Sequence, residues 1–136
     1  MPDDPGETGK ETLAGIDADG DGVRDDVQRY IFRVYVDDDL KRKAMLQFAK
    51  SMLEEIMVAN QRDPELSREK FILNSNDQLC AISIFDDIDE YFYEAKNLEV
   101  SIFNTRERIE ADLLAGRNIS GQFFSFESPG TELCRF

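Results

Sequence analysis

The sequence predicts an all-α fold, a compact bundle of about four helices, and three observations support this prediction. Apolar residues recur at helical spacing over several stretches, the clearest of which runs from Met45 to Ala59. Proline and glycine lie mostly near the two ends of the chain, where they leave long helices uninterrupted. The chain has 136 residues, of which 41% are apolar and 33% charged, so we expect one globular domain with a buried core.

Composition divides this single domain into four segments. Residues 1–16 contain two prolines and three glycines and predict an extended arm. Residues 17–28 form an acidic loop, and residues 29–116 hold the helical patterns. Residues 117–136 place phenylalanines among Gly, Ser and Pro, which predicts an irregular aromatic tail packed onto the bundle.

The first two helices follow from the spacing of apolar residues. The first set leads out of the acidic loop and comprises Val23, Val27, Tyr30, Ile31 and Val34. This helix should end near Val36, and Asp37–Asp39 would supply an N-cap for the next helix. The second helix should stop before Asp63-Pro64, because proline disfavours helical geometry in the residue before it.

Two further helices are predicted in the second half of the chain. Ser67 would cap a helix that carries Phe71 and Phe85 on its apolar stripe. The acidic run at residues 86–90 either lies on the solvated face of a continuing helix or marks a break. A last helical pattern, from Leu98 to Leu113, should stop at Gly116.

The acidic loop alternates carboxylates with other residues and has a glycine at its sixth position. Calcium takes about six to eight oxygen ligands, and a loop with oxygens at positions 1, 3, 5, 7 and 9 can supply them. We therefore predict a calcium site whose ligands are Asp17, Asp19, Asp21, the Val23 carbonyl, Asp25 and, at position 12, Gln28.

Position 12 is a bidentate glutamate in an EF-hand, so Gln28, Asp26 or water could complete the coordination. The alternative interpretation is a solvated acidic turn, since Asp and Gly are common in turns. That alternative explains the residue types but not their strict alternation.

The segment from Leu13 to Ile31, with its DxDxDGxxD motif, resembles the calcium loops of thrombospondin type 3 repeats and dockerins. It is also similar to a group of small, mostly uncharacterised bacterial exported proteins that carry one such loop followed by a helix. No second copy of the loop follows, which argues against a dockerin and against a repeat array. The resemblance implies an exported protein with a structural calcium ion and names no substrate.

The two cysteines, Cys80 and Cys134, are either buried free thiols in a cytosolic protein or a disulfide that ties the tail to the middle of the fold. Because the chain also has the calcium loop, we predict the disulfide and a periplasmic or secreted protein. Met1 is followed directly by Pro2, with no signal peptide, as in a mature exported chain or a cytosolic start. The chain has no histidine, which disfavours zinc sites and His-activated nucleophiles.

The net charge of −13 disfavours nucleic acid and anionic membranes as partners, and no apolar run approaches the ~20 residues of a membrane span. We expect a non-enzymatic protein that binds a basic protein, for example as an immunity-type inhibitor. The alternative is an enzyme with a pair of carboxylates in a cleft. A cavity lined by acidic groups of raised pKa would favour the enzyme, and a flat acidic or aromatic surface the binding protein.

One further segment, Asn104–Arg108, carries two arginines beside an apolar stripe. It is either an ordinary helix surface or a network of polar contacts that joins helices. A role in binding a partner also fits, because arginine is enriched at interfaces.

Overall fold

The computed structural model describes all residues 1–136 and contains five α-helices, three 3₁₀-helices and no strand, which confirms the all-α prediction. The α-helices are α1 (Asp25–Val34), α2 (Asp39–Val58), α3 (Pro64–Ile84), α4 (Ile88–Ile102) and α5 (Arg106–Asn118). The 3₁₀-helices are Gly6–Lys10, Ala59–Gln61 and Thr131–Leu133. None of the helices has both the length and the hydrophobicity that crossing a membrane requires.

Helix α2 is the centre of the core and contacts each of the other four α-helices. Its buried apolar side chains are Ala44 and six residues of the predicted stripe, Met45, Phe48, Ala49, Met52, Leu53 and Ile56. They pack with Val27 and Ile31 of α1 and with Tyr91, Leu98 and Ile102 of α4 in one hydrophobic cluster. The carboxylate of Asp38 accepts a hydrogen bond from the backbone N–H of Lys41, so the predicted N-cap of α2 is confirmed.

The predicted cap of α3 was wrong. Asp63, not Ser67, is the N-cap, because its carboxylate accepts hydrogen bonds from the N–H groups of Glu65 and Leu66 and Pro64 follows it in the first turn. Ser67 is buried within the helix one turn later.

The structure has five α-helices and not four because the single helix predicted from Leu98 to Leu113 is two helices. Helix α4 ends at Ile102, and the Thr105 hydroxyl caps α5 by accepting from the N–H of Arg108. The prediction that this helix stops at Gly116 was wrong. Gly116 lies inside the helix at an exposed position. The acidic run marks a break, since Asp87 is the N-cap of α4.

The N-terminal arm is folded rather than extended. It forms the 3₁₀-helix Gly6–Lys10, in which Gly9 is buried. A β-carbon at Gly9 would lie 2.9 Å from the ring of Pro5, so only glycine fits this turn without displacement. The arm is therefore part of the packed structure.

The C-terminal tail is attached to the bundle by a disulfide, an ion pair and aromatic contacts. Cys80 of α3 and Cys134 form a disulfide with their Cα atoms 5.1 Å apart. The buried carboxylate of Asp77 pairs with the guanidinium of Arg135. Phe124 and Phe126 pack against Phe71 of α3. The aromatic tail thus packs onto the bundle, although Phe123 remains 92% exposed.

We predict that replacing both cysteines, in Cys80→Ser/Cys134→Ser, lowers the free energy of unfolding by about 4 kcal/mol, because the bond closes a long loop in the unfolded chain. The sequence separation that it spans is 54 residues. Urea unfolding of the wild type with and without reductant, and of the double variant, measures the effect. Reductant should destabilise the wild type and leave the double variant unchanged. Equal stability of all samples would contradict the prediction.

Candidate functional site

The acidic loop brings three of its predicted ligands together. Carboxylate oxygens of Asp17, Asp19 and Asp21 lie within 4.8 Å of one another, and no other group of three such side chains converges in this way. Three negative charges at this separation repel one another strongly unless a cation or a proton intervenes. The arrangement is therefore one that a hard divalent cation would stabilise.

The backbone of the loop is shaped by these same carboxylates. Asp17 accepts hydrogen bonds from the N–H groups of Gly20 and Gly22, at 3.1 and 2.9 Å. Both glycines have positive φ, +69° and +87°, a conformation that other residues rarely adopt. Asp21 accepts from the N–H of Val23 at 2.9 Å. The DxDxDG pattern thus folds locally into a turn whose side chains point to one place.

Electrostatics within the loop differ between neighbouring carboxylates. Burial raises the pKa of Asp21, and the charges of Asp19 and Asp17 raise it further. The N–H of Asp21 is the largest influence on Asp19 and lowers the pKa of that carboxyl. A bound cation would favour the ionised form of all of them.

Two of the other predicted ligands carry oxygens that have no hydrogen-bond partner. Gln28 is only 8% exposed, and its side-chain Oε1 has no partner. A buried acceptor without a partner costs about 1–3 kcal/mol. The backbone carbonyl of Val23 likewise accepts no backbone hydrogen bond. The three carboxylates, the Gln28 amide and the Val23 carbonyl all carry oxygens of the kind that calcium takes as ligands, and Gln28 lines the same surface pocket as Asp19.

The remaining two acidic residues of the loop are engaged elsewhere. Both carboxylate oxygens of Asp25 accept from the N–H of Ala18, at 3.1 and 3.3 Å, which closes the loop onto the first turn of α1. Asp26 pairs with the guanidinium of Arg24. Asp25 is therefore outside the convergent triad, and Asp26 is occupied by an internal ion pair.

Arg24, which sequence reasoning did not single out, fixes the loop to the rest of the fold. It lies between Val23 and Asp25, is 2% exposed, and donates to the carbonyls of Ser101 and Ile102 at the end of α4. A cation is favoured at a helix C-terminus, where carbonyls are unpaired. The sequence holds no signal for this contact, because its two ends are more than seventy residues apart.

Arg108 does the same for the arm and joins helix α5 to it through buried polar contacts, whereas Asn104, Arg106 and Glu107 of the same segment stay exposed. Its fully buried guanidinium donates to the carbonyls of Gly9, Thr12 and Leu13. The side chain of Asn104 accepts from both Arg108 and Arg24. Burial lowers the pKa of Arg108, and the charge of Arg24 lowers it further.

A second candidate site is a cavity of about 770 Å³ that opens between α2, α3, α4, α5 and the tail, which we call the acidic cavity. Its apolar lining includes Phe48, Met52, Phe71, Leu79, Phe103, Leu113, Ile119 and Phe126. Three carboxylates also line it: Glu55, Glu99 and Asp112. Burial raises the pKa of each of the three, and the charge of Asp112 adds to the effect on Glu55 and Glu99.

Fold and sites together define a helical, disulfide-linked protein with one DxDxDG loop and one acidic cavity. No protein-family model matches the chain, and no curated protein or solved structure matches it significantly.

We predict that Arg108→Met lowers the free energy of unfolding by about 3 kcal/mol, because it leaves the arm carbonyls without a donor. Arg106→Met is the matched control, since the side chain of Arg106 is 93% exposed on the same helix. Loss of its surface pair with Glu110 should cost less than about 0.5 kcal/mol. Chemical denaturation measures both, and equal effects of the two variants would refute the assignment.

Proposed function

We propose that this protein is a non-enzymatic, exported binding protein whose N-terminal region is held by a structural calcium ion. The observation that carries the calcium proposal is the convergence of the Asp17, Asp19 and Asp21 carboxylates together with the unpartnered Oε1 of Gln28. A solvated acidic turn accounts for the carboxylates but gives no reason to bury a glutamine acceptor without a partner. Calcium would supply that partner.

In this proposal the ion is structural and not regulatory. Asp17, Asp19, Asp21, the Val23 carbonyl and Gln28 would hold it, and its charge would offset the repulsion among the carboxylates. A calcium sensor works through a pair of helices that opens. Here the loop is preceded by the 3₁₀-helix Gly6–Lys10 and is followed by α1, so no helix pair flanks it.

Export is supported by the disulfide and by the loop together. Disulfides persist in oxidising compartments such as the periplasm and the extracellular space. The Cys80 end of the Cys80–Cys134 disulfide is fully buried in α3. Calcium-loop proteins of the kind that this loop resembles are also exported.

A basic protein is the partner that the surface of α4 fits. Ile88, Phe92 and Tyr93 are 54%, 54% and 67% exposed, and Asp86 and Asp89 lie near them in the sequence, whereas Glu90 pairs with Lys41; we call Asp86 to Tyr93 the α4 surface. Ile88 and Phe92 are neighbours on the helix, as are Asp89 and Tyr93, since each pair is four residues apart. Exposed aromatic residues within an acidic field are typical of a surface that binds a cationic partner, of which an immunity-type inhibitor is one concrete form.

The acidic cavity is the observation that favours the alternative, an enzyme with a carboxylate pair in a cleft. Acid–base catalysis by two carboxylates requires environments that push their pKa values apart. Burial raises the pKa of Glu55, Glu99 and Asp112 alike, which does not separate an acid from a base. We therefore rank catalysis second.

Calcium should raise the thermal stability of the wild type. At about a hundredfold excess over Kd, the gain in the free energy of unfolding is about 2.7 kcal/mol. For a chain of this length that is roughly 10 °C in Tm. Asp19→Asn should abolish most of the shift, and Gln28→Glu should enlarge it by supplying a charged ligand.

Thermal unfolding of the oxidised protein in calcium and in chelator makes this measurement. Asp37→Asn, outside the loop, removes the same charge and should leave the shift intact. An unchanged Tm in the wild type, or a full shift in Asp19→Asn, would overturn the calcium proposal.

Partner binding should depend on the α4 surface. The double variant Asp86→Lys/Phe92→Ala reverses one of its charges and removes one exposed ring. Glu69→Lys/Ile72→Ala makes matched changes on exposed positions of α3. In affinity capture from the native extract, followed by titration of the purified protein, a basic protein should bind the wild type and the α3 variant and lose binding to the α4 variant. Capture that does not distinguish the two variants would contradict the proposal.

A further inference from the structure

The acidic cavity combines an apolar lining with uncompensated charge. Its volume of about 770 Å³ falls within the range of small-molecule sites, about 300–1,000 Å³. Phe48 and Met52 come from the central helix α2, Phe71 from α3, and Phe126 from the tail. Such a lining suits a ligand with an apolar or aromatic body.

The polar part of the lining is negative. Glu55, Glu99 and Asp112 line the cavity from three different helices, α2, α4 and α5; Glu55 is half-buried, and Glu99 and Asp112 are exposed. No lysine or arginine lines the cavity, and none of the three carboxylates takes part in an ion pair. The Glu55 carboxylate has one internal partner, the side-chain amide of Asn74. The fold therefore leaves the negative charge of the cavity without an internal counterion.

The spacing of the carboxylates argues against a metal ion. The acidic loop holds the one group of three acidic side chains whose oxygens lie within 4.8 Å of one another, so the three carboxylates of the cavity do not converge on one point. Separated carboxylates that line an apolar cavity suit an organic cation that is large enough to occupy the cavity and contact them.

We propose that the acidic cavity binds a small organic cation with an apolar or aromatic body. Its ammonium group would lie against Glu55, Glu99 and Asp112, and its body against the rings of Phe48, Phe71 and Phe126. Charge-assisted hydrogen bonds and ring faces both favour an ammonium group at such a site. The cavity is far larger than one lysine side chain needs, which favours a free small molecule over a side chain of a protein partner.

The tail supplies one wall of the site. Phe126 packs at 6.2 Å from Phe71 and at 6.3 Å from Phe124, and Cys134 anchors the tail to α3. Phe126 is still 59% exposed, so its ring has a free face that a ligand could cover. This inference goes beyond the proposed function and requires neither the calcium ion nor the α4 surface.

Because the chain has no tryptophan, Phe126→Trp places a single indole at the cavity. The oxidised, calcium-supplied variant would be titrated with 2-phenylethylammonium, hexylammonium, spermidine and the neutral analogue 2-phenylethanol. We expect a saturable change in fluorescence with the two apolar amines and at least about tenfold weaker binding of the alcohol. Phe123→Trp, in the same tail but outside the cavity lining, should not respond.

Neutralising the cavity tests the charge. Glu55→Gln/Glu99→Gln/Asp112→Asn in the Phe126→Trp background should weaken binding of the amines by about tenfold or more. Glu11→Gln/Asp37→Asn/Glu69→Gln removes the same charge at exposed positions and should change it by less than about twofold. Circular dichroism checks that each variant is folded. Titration calorimetry of the protein without the introduced tryptophan measures binding independently of the indole.

Three results would overturn the proposal. They are no saturable binding of either apolar amine, equal binding of amine and alcohol, and equal losses in the cavity and control triple variants. A fourth such result is binding of spermidine alone, which would refute the apolar body. None of these results bears on the calcium-dependent Tm shift, so the two proposals fail separately.

Discussion

The burial of two arginines, Arg24 and Arg108, is the constraint on which the N-terminal half of the structure depends. Between them they hold the arm, the acidic loop, the end of α4 and the start of α5, with Asn104 accepting from both. A buried guanidinium is tolerated only when its donors are satisfied, and here backbone carbonyls, the Asn104 side chain and, for Arg24, the Asp26 carboxylate accept from them. The arm is folded because Arg108 requires its carbonyls.

This network also explains the shape of the acidic loop. Gly15 has a positive φ of 63°, and a β-carbon there would lie 2.6 Å from the side chain of Arg24 and 2.8 Å from that of Arg108. Only glycine at position 15 lets the backbone lie this close to the side chains of Arg24 and Arg108. It then turns directly into the Asp17–Asp21 segment, whose charge is of the opposite sign. The two buried arginines and the acidic loop are thus adjacent in the structure and opposite in charge.

Local patterns predicted the helices well because local interactions decide them. The stripe on α2 and the Asp38 cap both depend on residues within a few positions of one another. The acidic run left a break and a continuing helix open, and the structure shows the break. Two errors arose where local signals compete. Asp63 and Ser67 are both good caps, and Pro64 decides between them. Gly116 costs only about 1 kcal/mol in an exposed helix, which neighbouring contacts can offset.

Long-range features could not be predicted from one sequence. The partners of Arg108 lie more than ninety residues away, and the acidic cavity is assembled from four helices and the tail. The acidic loop is the intermediate case, since its triad converges as the spacing predicts. For its twelfth position the sequence left Gln28, Asp26 and water open, and the structure buries Gln28 Oε1 without a partner and pairs Asp26 with Arg24.

The amide at Gln28 has a consequence for where the chain can complete its fold. A neutral ligand in place of a carboxylate weakens calcium binding, and loops that work outside cells have Kd values of about 0.1–1 mM. If calcium is the ion, the acidic loop lacks it at the submicromolar concentrations inside a cell and binds it where the ion is abundant. Completion of the loop would then be confined to a calcium-rich compartment.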